Sequence, residues 1–155
     1  MSVFPIESDA VLLSMQDTTH PLATFSRHGF ELDDAFWPSV EHYFQGIRFE
    51  DLALRERIRA AEHPQAARKL ARRYRRRARR DWAQVQLAYM TRGVYMKAQV
   101  HEDVLAALLA TGGRQIVETS QYDYFWGCGR DTRGHNHYGQ ILMDVRARLR
   151  AADDA

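Results

Sequence analysis

The stops along this chain constrain it most. Pro38, His63-Pro64 and Gly112-Gly113 cut the stretch from residue 38 onward into separate helical lengths, because proline restricts the residue before it and glycine ends a helix. Pro38-Ser39 precede a helix from about Val40 to Phe49. Asp51 caps a second, with Leu52, Leu54 and Ile58 inward, and His63-Pro64 breaks it. Pro64 opens a third, which enters an arginine tract. Asp81 is the candidate N-cap of a segment from Trp82 to about Val100, with Leu87, Met90 and Val94 on one face. A further helix spans roughly His101 to Ala110, and the last runs from about Tyr138 to Arg150. Val11-Leu12-Leu13, Phe30 to Leu32 and Ile116-Val117 read as short strands. Residues 120 to 136 read as a loop rich in glycine and aromatics. The expected fold is α+β: a helix-dominated single domain over residues 1–155 with a few short strands.

A chain of 155 residues with 45% hydrophobic side chains can bury a core without covalent staples. Cys128 is the only cysteine, which excludes an internal disulfide and a four-cysteine zinc site and suits a reducing, cytoplasmic setting. No apolar run is long enough to span a bilayer. The first 17 residues carry Glu7 and Asp9 and no basic cluster before an apolar core, so no signal or transit peptide is expected.

The net charge of +2 hides strong patterning. Nine of the 13 residues from Arg68 to Arg80 are basic. Arginine grips phosphate through two parallel hydrogen bonds, so this tract suggests a phosphate-bearing partner, small or polymeric. The plain alternative is a solvated helix face.

Three segments carry candidate chemistry. In the first, Glu41, Gln45 and Arg48 share one face of a helix at spacings of four and three. Glu41 sits in the first turn, where the helix dipole favours a carboxylate able to act as a base or to stabilise positive charge. In the second, Lys97 shares the apolar face of Met90 and Val94, and either snorkels or is held in a pocket as a nucleophile. Trp82 and Lys97 would lie roughly 22 Å apart along an unbroken helix, so both reach one ligand only if the helix breaks, for instance at Gly93, or if the ligand is long. The third runs from Ser120 to Gly139. Asp123 precedes Tyr124, Phe125 and Trp126, Gly127 and Gly129 allow close backbone approach, and the helix start near Asn136 offers an anion site. Cys128, His135 and His137 lack metal-ligand spacing; no metal or other cofactor is expected.

At these segments the chain resembles the YbiA-like family, also called NADAR. The matching elements are Ser39 to Gln45; Ala66 to Arg72; Asp81-Trp82; Met90 with Lys97; Leu109 to Gly112; Glu118; Asp123 to Gly129; and Gly134 to Arg146. They span a core from about 22 to 148. Ala23-Thr24-Phe25 departs from the family's common Ser-Asn-Phe, placing one hydroxyl where an amide is usual.

The resemblance implies an N-glycosidase of phosphorylated N-ribosides, such as ribosylaminopyrimidine intermediates of riboflavin biosynthesis. Its alternative is removal of ADP-ribose from modified guanine in nucleic acid. It implies catalytic roles for Glu41, Trp82 and Asp123, and for Lys97 as a nucleophile toward an opened sugar. Gln45, Arg48, Arg72, Trp126, Gly127, Gly129 and Asn136 are the expected substrate-binding set. A non-catalytic module that grips nucleic acid through Arg68 to Arg80 is the remaining reading.

Overall fold

The computed structural model describes residues 5–153. Its centre is a helix buried on every side. Helix α1 (Val40–Ile47) is buried at all eight positions and packs against α2 (Leu52–Arg59), α3 (Pro64–Arg73) and α4 (Trp82–Val100). Burial leaves its polar side chains no water, so each must find a protein partner. Ser39 caps it by accepting the His42 N–H. The His42 ring is held between Ser39 Oγ at 2.7 Å and the Ala61 carbonyl at 2.9 Å. Desolvation pulls its pKa below the ordinary histidine value.

Helix α5 (Glu102–Ala110) follows α4, and α6 (His137–Asp153) packs against both. Strand β1 (Val11–Leu13) pairs in parallel with β4 (Ile116–Glu118), Val11 opposite Ile116. Strands β2 (Phe30–Leu32) and β3 (Ala35–Trp37) form an antiparallel hairpin. Its two-residue turn is Asp33-Asp34, with φ of 53° and 63°, the primed geometry that matches strand twist. The α+β expectation holds: six helices and four three-residue strands among the described residues. No helix among them is long and apolar enough to cross a membrane.

The main core gathers Trp37, Tyr43, Met90, Val94, Tyr138 and Leu142 around α1 and α4. A smaller one, Phe49, Leu54, Ile58, Ala67 and Ala71, joins α2 to α3. Several expectations need correction. Leu52 is 71% exposed and Leu87 38% exposed, so neither faces the core. Asp81 makes no side-chain cap to α4; its carboxylate is taken by Arg79, with Nε to Oδ1 at 2.7 Å. Helix α4 does not break at Gly93. A Cβ there would sit 3.0 Å from the Tyr43 ring, so the glycine serves the close crossing of α4 over α1.

Candidate active site

A cavity of about 490 Å³ opens beside α1. Glu41, Phe44 and Gln45 of α1 with Arg48 at its C-cap form one wall, and Arg68 and Arg72 of α3 with Arg75 of the 3-10 turn Arg75–Arg77 form the second. Trp82, Gln86 and Met90 of α4 form the third. Met15, Asp123 and Trp126 complete it from loops. Glu41 and Asp123, 82 residues apart in sequence, therefore face one hollow. Seven sequence-derived candidates meet there: Glu41, Gln45, Arg48, Arg72, Trp82, Asp123 and Trp126.

Glu41 is 1% exposed, and donors surround its carboxylate. Oε1 accepts from Thr24 Oγ1 at 2.8 Å and Arg68 Nη2 at 3.3 Å. Oε2 accepts from Gln45 Nε2 at 2.7 Å and Arg68 Nε at 3.1 Å. This forked arginine pair fixes both oxygens in one plane. Thr24 thus uses its single hydroxyl on the carboxylate, and also reaches the Met15 carbonyl at 3.2 Å. Asp123 is held differently. Its Oδ1 accepts the Phe125 and Trp126 N–H groups at 3.0 and 2.7 Å, a short Asx turn that leaves Oδ2 unengaged by the described residues.

The aromatic walls brace one another. Phe44 meets Trp82 at 4.9 Å and Trp126 at 5.3 Å between ring centroids. The Arg48 guanidinium lies 5.5 Å from the Trp82 ring centre and donates to Gln45 Oε1 at 3.2 Å. Its buried Nε has no partner, and desolvation lowers its pKa from the ordinary arginine value. Among the described residues Arg48, Arg72 and Arg75 make no ion pair. Three unneutralised guanidiniums on one cavity suit an anionic group of the ligand.

Four candidates are not brought to the cavity. Lys97 stands 15 residues beyond Trp82 on an unbroken helix, roughly 22 Å along the axis. It is 2% exposed, and its ammonium donates to the Ala23 carbonyl at 2.8 Å and Ser26 Oγ at 2.6 Å. It neither snorkels nor lines the hollow, and burial pulls its pKa down to about 7. Gly127 makes room for Glu118: a Cβ there would lie 2.4 Å from Glu118 Oε1. Gly129 takes a left-handed φ of 71° beneath the Tyr124 ring. Asn136 spends its amide on β4, donating to the Ile116 carbonyl at 2.9 Å and accepting the Glu118 N–H at 2.8 Å. The first N–H groups of α6 are spent as well, on the Phe125 and Trp126 carbonyls. That helix start clamps the 120s loop through these N–H groups.

Sequence reasoning left Gln86, Met15 and Met90 out of the site, and took Arg68 and Arg75 only as members of the arginine tract. Arg68 carried a signal: it lies four residues before Arg72, on the same face of a predicted helix. The role of Met15 had none, since only the tertiary fold sets that loop against α1.

A family model described as the NADAR domain matches residues 10–150. N-glycosidase Npun_R5314 of Nostoc punctiforme is 41% identical over 131 residues, covering 83% of this chain and 84% of that protein. N-glycosidase YbiA of Escherichia coli is 32% identical over 136 residues, covering 88% and 85%. Riboflavin biosynthesis protein VVA0006 of Vibrio vulnificus is 38% identical over 128 residues, which span 83% of this chain and 35% of that longer protein. The NMR structure of Escherichia coli YbiA superposes with a TM-score of 0.81 at 29% identity, covering 99% of this chain and 95% of that one. With a match along nearly its whole length and this fold, the chain belongs to the NADAR family.

Proposed function

We propose that the chain hydrolyses the bond between ribose and a base nitrogen in a small phosphorylated N-riboside, such as a ribosylaminopyrimidine intermediate of riboflavin biosynthesis. It is an N-glycosyl hydrolase, the class its curated relatives name. The observation that carries the substrate reading is the cavity itself. Two carboxylates, two indoles and three unpaired arginines line one hollow of about 490 Å³, a volume within the range of small-molecule sites, about 300–1,000 Å³.

The chemistry follows from charge. As the C1′–N bond breaks, the electron pair leaves with the base and positive charge builds on C1′. Glu41, pinned by Thr24, Gln45 and Arg68, is a fixed negative charge facing that carbon. Preorganised charge of this kind needs no rearrangement during the reaction. Water attacks C1′, the new C–O bond replaces C–N, and one water proton is removed while the leaving nitrogen gains one. Asp123 Oδ2 is free to bind a ribose hydroxyl or to handle one of those protons. Trp82 and Trp126 frame the sugar and base. Arg72, Arg75 and Arg48 hold the phosphate, and the orphan Arg48 Nε gains an acceptor when it binds. The Lys97 ammonium lies away from this hollow, which favours hydrolysis in one step over a Schiff base. The buried, free Cys128 fits the cytoplasmic setting we propose.

The test is chromatographic detection of free base from ribosylaminopyrimidine phosphates and from ADP-ribosylated guanine oligonucleotides, run side by side. Release from the first set alone supports this reading. Release from the second alone moves the assignment to ADP-ribosyl hydrolysis, and release from neither refutes both.

A further inference from the structure

We propose that His28, His101 and Asp103 form a binding site for a divalent transition-metal ion of the zinc class, at the corner between α4 and α5. His28 lies in the segment leading into β2, while His101 and Asp103 flank the start of α5. One donor atom from each lies within 4.8 Å of the other two. His28 Nε2 is 2.6 Å from Asp103 Oδ2, and the two imidazoles meet edge to face at 4.9 Å.

The hydrogen bonds orient both rings. His101 Nε2 lies 2.6 Å from the Gly29 carbonyl oxygen. A carbonyl only accepts, so Nε2 carries a hydrogen and the neutral ring keeps its lone pair on Nδ1. His28 Nδ1 lies 3.0 Å from Ser26 Oγ. That hydroxyl already accepts from Lys97 Nζ at 2.6 Å and points toward the Pro21 carbonyl at 3.4 Å. The one hydrogen of Ser26 serves the nearer partner, His28 Nδ1, which leaves His28 Nε2 to donate to Asp103. A metal ion would take the place of that hydrogen, between Nε2 and a carboxylate oxygen 2.6 Å away, with the ring hydrogen moving to Nδ1.

A hydrogen bond between His28 and Asp103 needs only two groups; the third donor, His101, is what the metal explains. Each imidazole is also steadied through its other nitrogen by an oxygen, as ligating histidines usually are. Two imidazoles and one carboxylate leave a fourth tetrahedral position for water. Nitrogen donors favour zinc, cobalt or nickel over magnesium or calcium. At bond lengths of about 2.0–2.2 Å, binding would spread His28 Nε2 and Asp103 Oδ2 to roughly 3.3 Å.

His101 stands 19 residues beyond Trp82 along α4, roughly 28 Å on the helix axis, so the ion takes no part in bond cleavage. It would tie residues 26–29 to the α4–α5 corner, behind the segment whose Thr24 holds Glu41.

The test uses tag-free, chelator-stripped protein titrated with zinc by calorimetry and with cobalt by visible absorption. One equivalent should bind, with tetrahedral cobalt bands and a rise in Tm of about 5–10 °C at 100-fold excess over Kd. Loss of an outer-sphere partner costs about 10–100-fold in affinity, so His101→Ala and Asp103→Ala should each lose at least ~100-fold. Asp103 is 66% exposed at its side chain, so that variant keeps its fold, checked by circular dichroism. His135→Ala and His137→Ala, which remove a second stacked histidine pair, should bind as the parent does. Absence of binding at neutral pH overturns the proposal, and so does unchanged affinity in His101→Ala and Asp103→Ala.

Discussion

Glu41→Gln isolates the charge at the reacting carbon. Glutamine keeps the length and shape of the side chain and removes one negative charge from a site that is 1% exposed. A full positive charge about 4 Å away interacts with that carboxylate by roughly 4 kcal/mol at an effective dielectric of 20. The neutral ground-state ribose feels almost none of this. The difference falls on the transition state, so kcat should drop about 10³-fold while KM stays within a few fold. The fold has its own cost. Thr24, Gln45 and Arg68 all donate to the carboxylate, so the new amide NH₂ must oppose a donor. One mismatched buried pair costs about 1–3 kcal/mol, or roughly 2–12 °C in Tm for a domain of this size. Base release measured by chromatography, beside a thermal melt, separates the two effects. A folded variant with kcat within about tenfold of the parent would refute the electrostatic role.

Removing the two outer cavity arginines together, Arg72→Ala with Arg75→Ala, should raise KM by about 10²–10⁴-fold for the phosphorylated riboside, since each charged hydrogen bond contributes about 1.5–3 kcal/mol; the dephosphorylated riboside, compared by steady-state kinetics, should be unaffected. Lys97→Met should stabilise the fold most at low pH. Burial lowers the Lys97 pKa from 10.5 to about 7, so the unfolded chain binds more protons between those values and parental stability gains up to about 1.4 kcal/mol per pH unit as pH rises. The advantage of Met should shrink from pH 7 upward in urea melts. Gly46→Ala should destabilise despite the helix preference for alanine, about 1 kcal/mol, because its Cβ would lie 2.5 Å from the buried Trp37 ring. Overpacking of about 1–3 kcal/mol wins, and a Tm above the parent's would contradict it.

Helix positions were legible because their signals are local. Ser39, Asp51 and Pro64 announce the starts of α1, α2 and α3, and all three helices begin there. The β2–β3 hairpin was missed at Ala35 to Trp37, although Asp33-Asp34 is a turn signal that the left-handed φ values use. Burial was legible only where apolar periodicity decides it. Leu52 and Leu87 obey the pattern and still face water, because nothing in the fold covers those ends of α2 and α4. The site was readable on α1, where spacings of three and four bring Glu41, Gln45 and Arg48 to one wall. In the 120–139 loop Asp123 and Trp126 reach the cavity, while Gly127, Gly129 and Asn136, which resemble ligand-binding parts, are not among its lining residues. Gly127 makes room for Glu118, a buried carboxylate that accepts from the Met15 N–H, the Ser120 N–H and the Ser120 hydroxyl; Asn136 ties to the β4 backbone and Gly129 lies beneath the Tyr124 ring. Sequence alone cannot separate a loop built to hold a ligand from one built to satisfy an internal charge, since both need close backbone approach.

The arginine tract shows the same limit at larger scale. Nine basic residues in 13 read as one positive face, yet the fold divides them. Helical spacing turns Arg68 and Arg72 inward, and the 3-10 turn adds Arg75 to the same hollow. Outside it, Arg77 pairs with Asp51 and Arg79 with Asp81, while Arg73 and Arg77 lie about 5.5 and 5.4 Å over the Tyr74 ring. Part of the tract is thus neutralised by acids, one distant in sequence and one two residues on, and part stacks on an aromatic. The unpaired members at the cavity converge on a concave space, where guanidiniums grip one small anion; a polymer would need them spread along a track. This convergence, more than the density of charge, favours a small phosphorylated substrate over a nucleic-acid strand.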